Sequence, residues 1–232
     1  MSMQSKLKTR GILMLIVFAG ILGVIFSPVF PGKEKKVNGL DYMDNLFNMV
    51  SKGSSYFIPA SIKSSEKYAG KMIDVTIKMA DEEQAAETAV LMQGAGARTT
   101  VQGKELQIAG DMAGILKSSL ADSDLMFANN GSPVQEKYGY AAEKVMYNWW
   151  TAFKAIGTIL TTQEKFDEAK PFASISKKAL EPAYNYYGIN AMKWQENIGL
   201  ILAALAFYVF YTMWYGFGLM FLFEGLGLKI GH

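Results

Sequence analysis

The longest uncharged segment of the chain lies near its C-terminal end. Residues 198–223 form a run of about 26 mostly apolar residues, which as an α-helix would be roughly 39 Å long. The hydrocarbon core of a bilayer is about 30 Å thick, so a helix of this length crosses it with some tilt. The segment therefore predicts a transmembrane helix.

A second apolar segment lies near the N-terminus. Residues 12–26 carry no charge, the apolar character continues to residue 30, and about 19 such residues reach roughly 28 Å as a helix. A basic start followed by a short apolar core is also typical of a cleaved secretion signal. Residues 27–31 contain two prolines where a small-x-small cleavage site is required, which favours an uncleaved membrane anchor.

The C-terminal apolar segment has tyrosines in its interior. Tyr208, Tyr211 and Tyr215 recur at helical spacing, and hydroxyl groups inside a bilayer need hydrogen-bond partners. We therefore expect these side chains to contact another helix. Small residues four positions apart predict further places of close helix packing: Ala19 with Gly23, and Gly199 with Ala203.

The distribution of positive charge predicts how the chain crosses the membrane. Basic residues flank the outer ends of the two apolar segments: Lys6, Lys8, Arg10 and Lys229. Because cytoplasmic flanks are rich in Lys and Arg, we expect both termini in the cytoplasm, although the lysines within residues 33–36 oppose this orientation. The predicted order is a cytoplasmic N-terminus (1–10), transmembrane helix 1 (11–30), an extracytoplasmic domain (31–193), transmembrane helix 2 (194–226) and a cytoplasmic C-terminus (227–232).

The central segment contains local signals for helices and one hairpin. Asp81 and Asp111 each precede a helical pattern and have side chains suited to cap a helix N-terminus. A change of pattern near residues 97–110 predicts a small β-hairpin. The predicted fold class is a mainly α membrane protein in which N- and C-terminal transmembrane helices flank a helical-bundle extracytoplasmic domain with this hairpin.

Two longer helices are predicted in the same domain, over residues 59–80 and 133–160. In the second, Trp149 belongs to an apolar stripe that recurs every three or four residues. Its neighbour Trp150 is turned by about 100° and should meet a second surface. That surface is either another helix or a ligand or partner.

Residue types that carry much of protein chemistry are scarce. The chain has no cysteine and a single histidine, His232, at the last position. The lack of cysteine excludes thiolate metal sites, disulfides and cysteine nucleophiles, and a terminal histidine is poorly placed for a catalytic triad. A net charge of +2 without a long basic run argues against nucleic-acid binding.

Two weaker motifs are interpreted structurally. Residues 94–96, Gly-Ala-Gly, lack the remainder of a P-loop or dinucleotide fingerprint and are interpreted as the end of a helix. Asp122 and Asp124 lack EF-hand spacing and are interpreted as solvated caps. We therefore expect no cofactor, no metal and no catalytic residue.

These features favour a non-catalytic, two-span protein of the inner (plasma) membrane with a periplasmic central domain. It would act as an accessory or scaffold subunit of a larger envelope complex, with the bilayer and other membrane subunits, or a second copy, as partners. The predicted partner-binding residues are Trp150, Tyr208, Tyr211 and Tyr215. The alternative is a ligand-sensing domain that signals through a separate protein. The order of span, helical domain and span resembles the sensing half of chemoreceptors and sensor kinases, but only a few residues follow the second span, too few for an output domain.

Overall fold

The computed structural model describes residues 2–32 and 34–228, and the predictions concerning Lys33, Lys229 and His232 fall outside them. The chain divides into two compact units, one made of Met1–Val50 with Met192–His232 and the other of Ser51–Ala191. In chain order the elements are α1 (Met3–Phe26), α2 (Gly39–Ser54), α3 (Ile58–Ser65), β1 (Met72–Lys78), α4 (Glu82–Gly94), β2 (Arg98–Gln102), β3 (Glu105–Asp111), α5 (Met112–Phe127), α6 (Ser132–Tyr138), α7 (Ala142–Thr162), α8 (Phe166–Ile175), a π-helical turn (Ser176–Leu180), α9 (Glu181–Asn185) and α10 (Ile198–Gly225).

The first unit contains α1 and α10, both long and apolar enough to span a membrane. They pack as an antiparallel hairpin: Trp214 Nε1 donates to the Met14 carbonyl at 2.9 Å, and Tyr211 donates to the Phe18 carbonyl at 2.9 Å. Helix α1 ends at Phe26 and not at residue 30. The proline at position 28 disfavours helical backbone in the residue before it, which has ψ of 145°.

The close contacts of this hairpin do not involve the small-residue pairs expected from the sequence. A Cβ built at Gly23 or Gly199 would meet no heavy atom within 4 Å. At Gly11 it would lie 2.5 Å from the Leu222 backbone nitrogen, so the helices approach closely there. The predicted pairs are therefore not where α1 and α10 pack closely, because spacing identifies candidate small patches but not which face of each helix turns inward.

The second unit contains a three-stranded antiparallel sheet in the order β1-β3-β2. Strands β2 and β3 form the predicted hairpin around Gly103, which has φ of +58°. Because β3 lies between β1 and β2, the segment β1-α4-β2 is a split βαβ unit. The second unit is therefore not a pure helical bundle, since α4 and α7 pack against a sheet.

The prediction of one helix over residues 59–80 is wrong in its second half. Helix α3 ends at Ser65, and Gly70, with φ of +77°, precedes β1. Ile73, Val75 and Ile77 are buried and alternate with exposed residues, which is the pattern of a strand with one face against a core.

The other local predictions are mostly confirmed. The side chain of Asp81 accepts a hydrogen bond from the Gln84 backbone at 2.7 Å and begins α4, and Asp111 accepts one from Gly114 at 3.0 Å and begins α5. The helix expected over residues 133–160 is instead divided into α6 and α7 at Gly139, which adopts φ of +81° in a left-handed cap. The predicted apolar stripe of α7 is fully buried and forms the centre of the core.

Candidate functional site: a groove beside Trp150

Trp150 lies on α7 next to the fully buried Trp149. Its indole nitrogen donates a 2.9 Å hydrogen bond to Oε1 of Glu181, and the Lys154 ammonium lies 4.9 Å from the centre of one of its rings. Trp150 thus meets a second surface, as expected, but α9 covers only part of it and the side chain remains partly exposed. Its partner-binding role stays a prediction.

The exposed part of Trp150 faces a groove with a volume of about 730 Å³ between α7 on one side and α8 with the π-helical turn on the other. Its residues are the apolar Trp150, Phe153, Phe166, Ala169 and Ala173, the small Gly157, the hydroxyl-bearing Thr158, Thr161, Thr162 and Ser176, and the charged Lys154, Lys170, Lys177 and Glu181. The groove therefore combines aromatic side chains with hydroxyl and charged groups.

The charge of the groove is predominantly positive. Three lysines line it against one carboxylate, that of Glu181, which already accepts the Trp150 hydrogen bond. Lys170 also pairs with Asp167 at 3.3 Å, but both side chains are highly exposed, so this pair neutralises little. An acidic segment is the complementary ligand for such a rim.

The π-helical turn shapes one wall of the groove. The Glu181 backbone donates to the Ser176 carbonyl five residues earlier, which is the π-helical hydrogen bond. Pro182 follows and has no backbone N–H to continue the ladder. The widened turn places both Lys177 and Glu181 on the groove, and single π-turns of this kind are frequent at functional sites.

Asp122 in α5 lies at the centre of a buried polar cluster that was not predicted from the sequence. It is 1% exposed and accepts hydrogen bonds from Tyr138 at 2.7 Å, Trp149 at 2.9 Å and Lys137 at 3.0 Å. The interpretation of Asp122 as a solvated cap is therefore wrong, whereas its neighbour Asp124 is only half-buried.

The signal for this burial was present in the helical spacing. Ile115, Ser119 and Met126 are buried and lie on the same side of α5 as Asp122. Burial and the neighbouring Asp122 charge raise the pKa of Tyr138 well above its usual value, so its phenol stays a proton donor. The cluster has its donors and acceptor matched to one another, which makes it a structural link between α5, α6 and α7.

A second polar network joins α4 to α7. Gln84 donates to Asn148 at 3.1 Å, and Asn148 donates to Glu87 at 3.0 Å. The Tyr140 hydroxyl lies beside this network, and burial raises the pKa of Tyr140 to about 12. These tyrosines are held in the packing of the domain and do not line the groove.

The three tyrosines predicted to bind partners lie on α10. Tyr211 stacks on Phe18 with ring centres 4.4 Å apart, Tyr215 lies 4.8 Å from the same ring, and Tyr208 is 66% exposed. A helix of the same chain therefore supplies the contacts expected for Tyr211 and Tyr215. The hydrogen bond of Trp214 to α1 was not foreseen from the sequence. Binding of a separate partner by these residues remains a prediction.

Within the described part of the chain, no group of three or more histidine, cysteine, aspartate or glutamate side chains is arranged to hold a metal ion. Comparison with protein-family models, with curated proteins and with solved structures finds no match for this chain.

Proposed function

We propose that this protein is a two-span membrane protein that acts without catalysis, as an accessory or scaffold subunit of a larger complex in the cell envelope. The groove beside Trp150 is the observation that carries the proposal. It would receive an acidic segment of a partner protein, while α1 and α10 anchor the chain in the plasma membrane.

Membrane anchoring is supported by the surface of α10. Only Gly218 is buried among the residues of this helix, and large apolar side chains are exposed on all its sides. A helix that is apolar all round requires an apolar environment, which a bilayer provides. With the basic N-terminal flank in the cytoplasm, the domain between the helices lies on the extracytoplasmic, periplasmic side.

Partner binding is supported by the chemistry of the groove. Trp150 and the 56% exposed Phe166 are the kind of aromatic anchors that dominate the binding energy of protein interfaces. The lysines at the margins would steer and orient an acidic partner. Tyr138 and Tyr140, whose pKa values are raised, are enclosed in structural networks away from the groove, so burial explains their pKa values without a catalytic role.

Charge reversal at the groove tests this function. The double variant Lys154→Glu, Lys177→Glu is compared with the matched double variant Lys78→Glu, Lys104→Glu, whose lysines are exposed elsewhere in the same unit. Each full-length protein is purified from native membranes in mild detergent, and co-purified proteins are quantified by mass spectrometry. We expect the groove variant to lose its partner by about tenfold or more, equivalent to about 1.4 kcal/mol.

The matched variant should retain the partner, and both should keep the circular dichroism spectrum of the natural chain. Equal retention by the two double variants, or recovery of the natural chain as a monodisperse monomer with no co-purified protein, would contradict the proposal.

A second candidate function is a ligand-sensing domain that signals through a separate protein. The groove volume of about 730 Å³ lies within the range of about 300–1,000 Å³ that is typical of small-molecule sites. A metabolite at about a hundred times its dissociation constant would stabilise the chain by about 2.7 kcal/mol. A thermal-shift screen with small anionic metabolites separates the two candidates, because only the sensing function requires such a ligand.

A further inference from the structure

The first unit contains an apolar cavity of about 820 Å³, distinct from the groove beside Trp150. Its walls come from α1, α10 and the first half of α2. Along α10 it extends from Leu200 to Tyr215, a distance of about 22 Å at the helical rise. Apart from a few hydroxyl groups, its lining is aliphatic and aromatic.

Helix α2 covers this cavity with one face only. Leu40, Met43 and Phe47 line the cavity at helical spacing. Asp44 is exposed, lies on another part of the helix and accepts a 2.9 Å hydrogen bond from the side-chain amide of Asn48. A helix with one apolar and one polar face next to transmembrane helices is typical of an element that lies in the membrane interface.

The turn that precedes α2 adjoins the cavity and contains lysines. Phe30, which lines the cavity, exchanges two backbone hydrogen bonds with Val37, at 3.0 and 2.9 Å, and so closes the loop between them. Lys35 and Lys36 belong to this loop and are exposed. Glu34 is the acidic residue of the same loop, and Asp41 is exposed on the first turn of α2.

We propose that this cavity binds one phospholipid, with an acyl chain between α1, α10 and α2 and the phosphate at Lys35 and Lys36. The inference goes beyond the proposed partner binding, but it rests on the placement of α1 and α10 in a bilayer. A flexible hydrocarbon chain matches both the 22 Å extent and the apolar lining. The lysines of the adjoining loop would supply the usual point-charge recognition of a phosphate.

The alternative occupant of an apolar surface on membrane helices is a helix of a second copy. A helix with side chains is about 10 Å or more in diameter, whereas an acyl chain is much thinner. A second helix also gives no role to Lys35 and Lys36, the exposed lysines of the adjoining loop.

The test compares two neighbouring alanines of α10. Ala204 lines the cavity, whereas Ala203 is exposed and does not line it. Full-length natural chain, Ala204→Phe and Ala203→Phe are purified from membranes, washed with delipidating detergent and analysed by native mass spectrometry. We expect the natural chain and Ala203→Phe to retain a single phospholipid per chain and Ala204→Phe to lose it.

A second variant keeps the test informative if Ala204→Phe perturbs folding. Lys35→Glu with Lys36→Glu leaves the cavity intact and should lower lipid retention severalfold, with a larger loss for anionic than for zwitterionic phospholipid added back in vesicles. Three outcomes would overturn the inference. All variants could retain lipid equally, or the natural chain could lose all lipid in the first wash. The natural chain could also be a dimer that Ala204→Phe converts to a monomer without a change in bound lipid, which would make a second copy the occupant.

Failure of this inference is distinguishable from failure of the proposed function. Carbonate extraction of the same membranes reports whether the chain is integral to the bilayer, and the partner pull-down reports the groove beside Trp150. An integral protein that keeps its partner but holds no lipid refutes the lipid site alone.

Discussion

Trp150 donates a 2.9 Å hydrogen bond to Glu181, which links α7 to the first residue of α9 across one end of the groove. Both side chains are partly buried, so the charged acceptor of this hydrogen bond is partly shielded from solvent. Glu181 thereby fixes the orientation of the Trp150 indole, part of which is exposed in the groove.

Replacement of Glu181 tests this link. We expect Glu181→Ala to lower the free energy of unfolding by about 1 kcal/mol, because the indole N–H loses its acceptor. Glu181→Gln retains an acceptor oxygen and should cost less. Chemical unfolding of the full chain in detergent, followed by circular dichroism, measures both values, and equal losses would contradict this account of the hydrogen bond.

Removal of the buried carboxylate of Asp122 should be far more costly. Asp122→Ala leaves Tyr138 and Trp149 without their buried acceptor, and loss of one member of a buried charged cluster costs about 3–5 kcal/mol. Asp124→Ala is the matched control, since the half-buried side chain of Asp124 accepts a hydrogen bond from the exposed Tyr56. Its expected cost is about 1 kcal/mol. Similar thermal midpoints for the two variants would show that the Asp122 cluster is not a structural link.

The tyrosine networks predict loss of stability in alkali. The pKa of Tyr140 is raised from 10.0 to about 12, so the folded state favours the neutral phenol. This contribution to stability is fully present below about pH 10 and is lost as the pH rises through about 12. Tyr138 acts in the same direction, because its pKa is also raised. Unfolding measured between pH 9 and pH 12 should be less steeply pH-dependent for Tyr140→Phe than for the natural chain, and identical profiles would refute the prediction.

The antiparallel packing of α1 on α10 predicts a specific cross-link. A Cβ at Gly218 would lie 3.4 Å from that of Met14, close to the mean of about 3.8 Å in disulfides. The natural chain has no cysteine, so Met14→Cys with Gly218→Cys introduces a single pair. Mild oxidation of the protein in membranes should cross-link it, as measured by thiol labelling and mass spectrometry.

The control for this cross-link places the second cysteine at position 216 and leaves Gly218 unchanged. A Cβ at Gly216 meets no heavy atom within 4 Å, so Met14→Cys with Gly216→Cys should keep both thiols. Efficient cross-linking of this control pair would contradict the packing of the hairpin.

Structural features that depend on one turn of backbone were predicted correctly from the sequence. Asp81 and Asp111 cap helices as expected, because capping depends on backbone groups two or three residues away. The hairpin around Gly103 is also local. Strand β1 was missed although Ile73, Val75 and Ile77 alternate with polar residues, a local strand signal that the prediction of one long helix overlooked. The pairing of β1 with β3 follows only from the tertiary fold.

The candidate site was predictable only in part. The periodicity of α7 indicated that Trp150 leaves the buried stripe, but not that Glu181 would meet it, since the π-helical turn changes the register of the chain before α9. Asp122 was misread because a charged residue is usually solvated, and its burial depends on three donors brought by α6 and α7.

The sequence by itself determined the two long apolar helices, the helix caps and the lack of thiol chemistry, because length, composition and capping act within one segment. Tertiary structure alone decided that Tyr211 meets Phe18, which donors surround Asp122 and that Trp150 borders a groove. The physical reason is that these contacts join residues far apart in the chain, and their geometry follows from how whole elements pack, which no local pattern encodes.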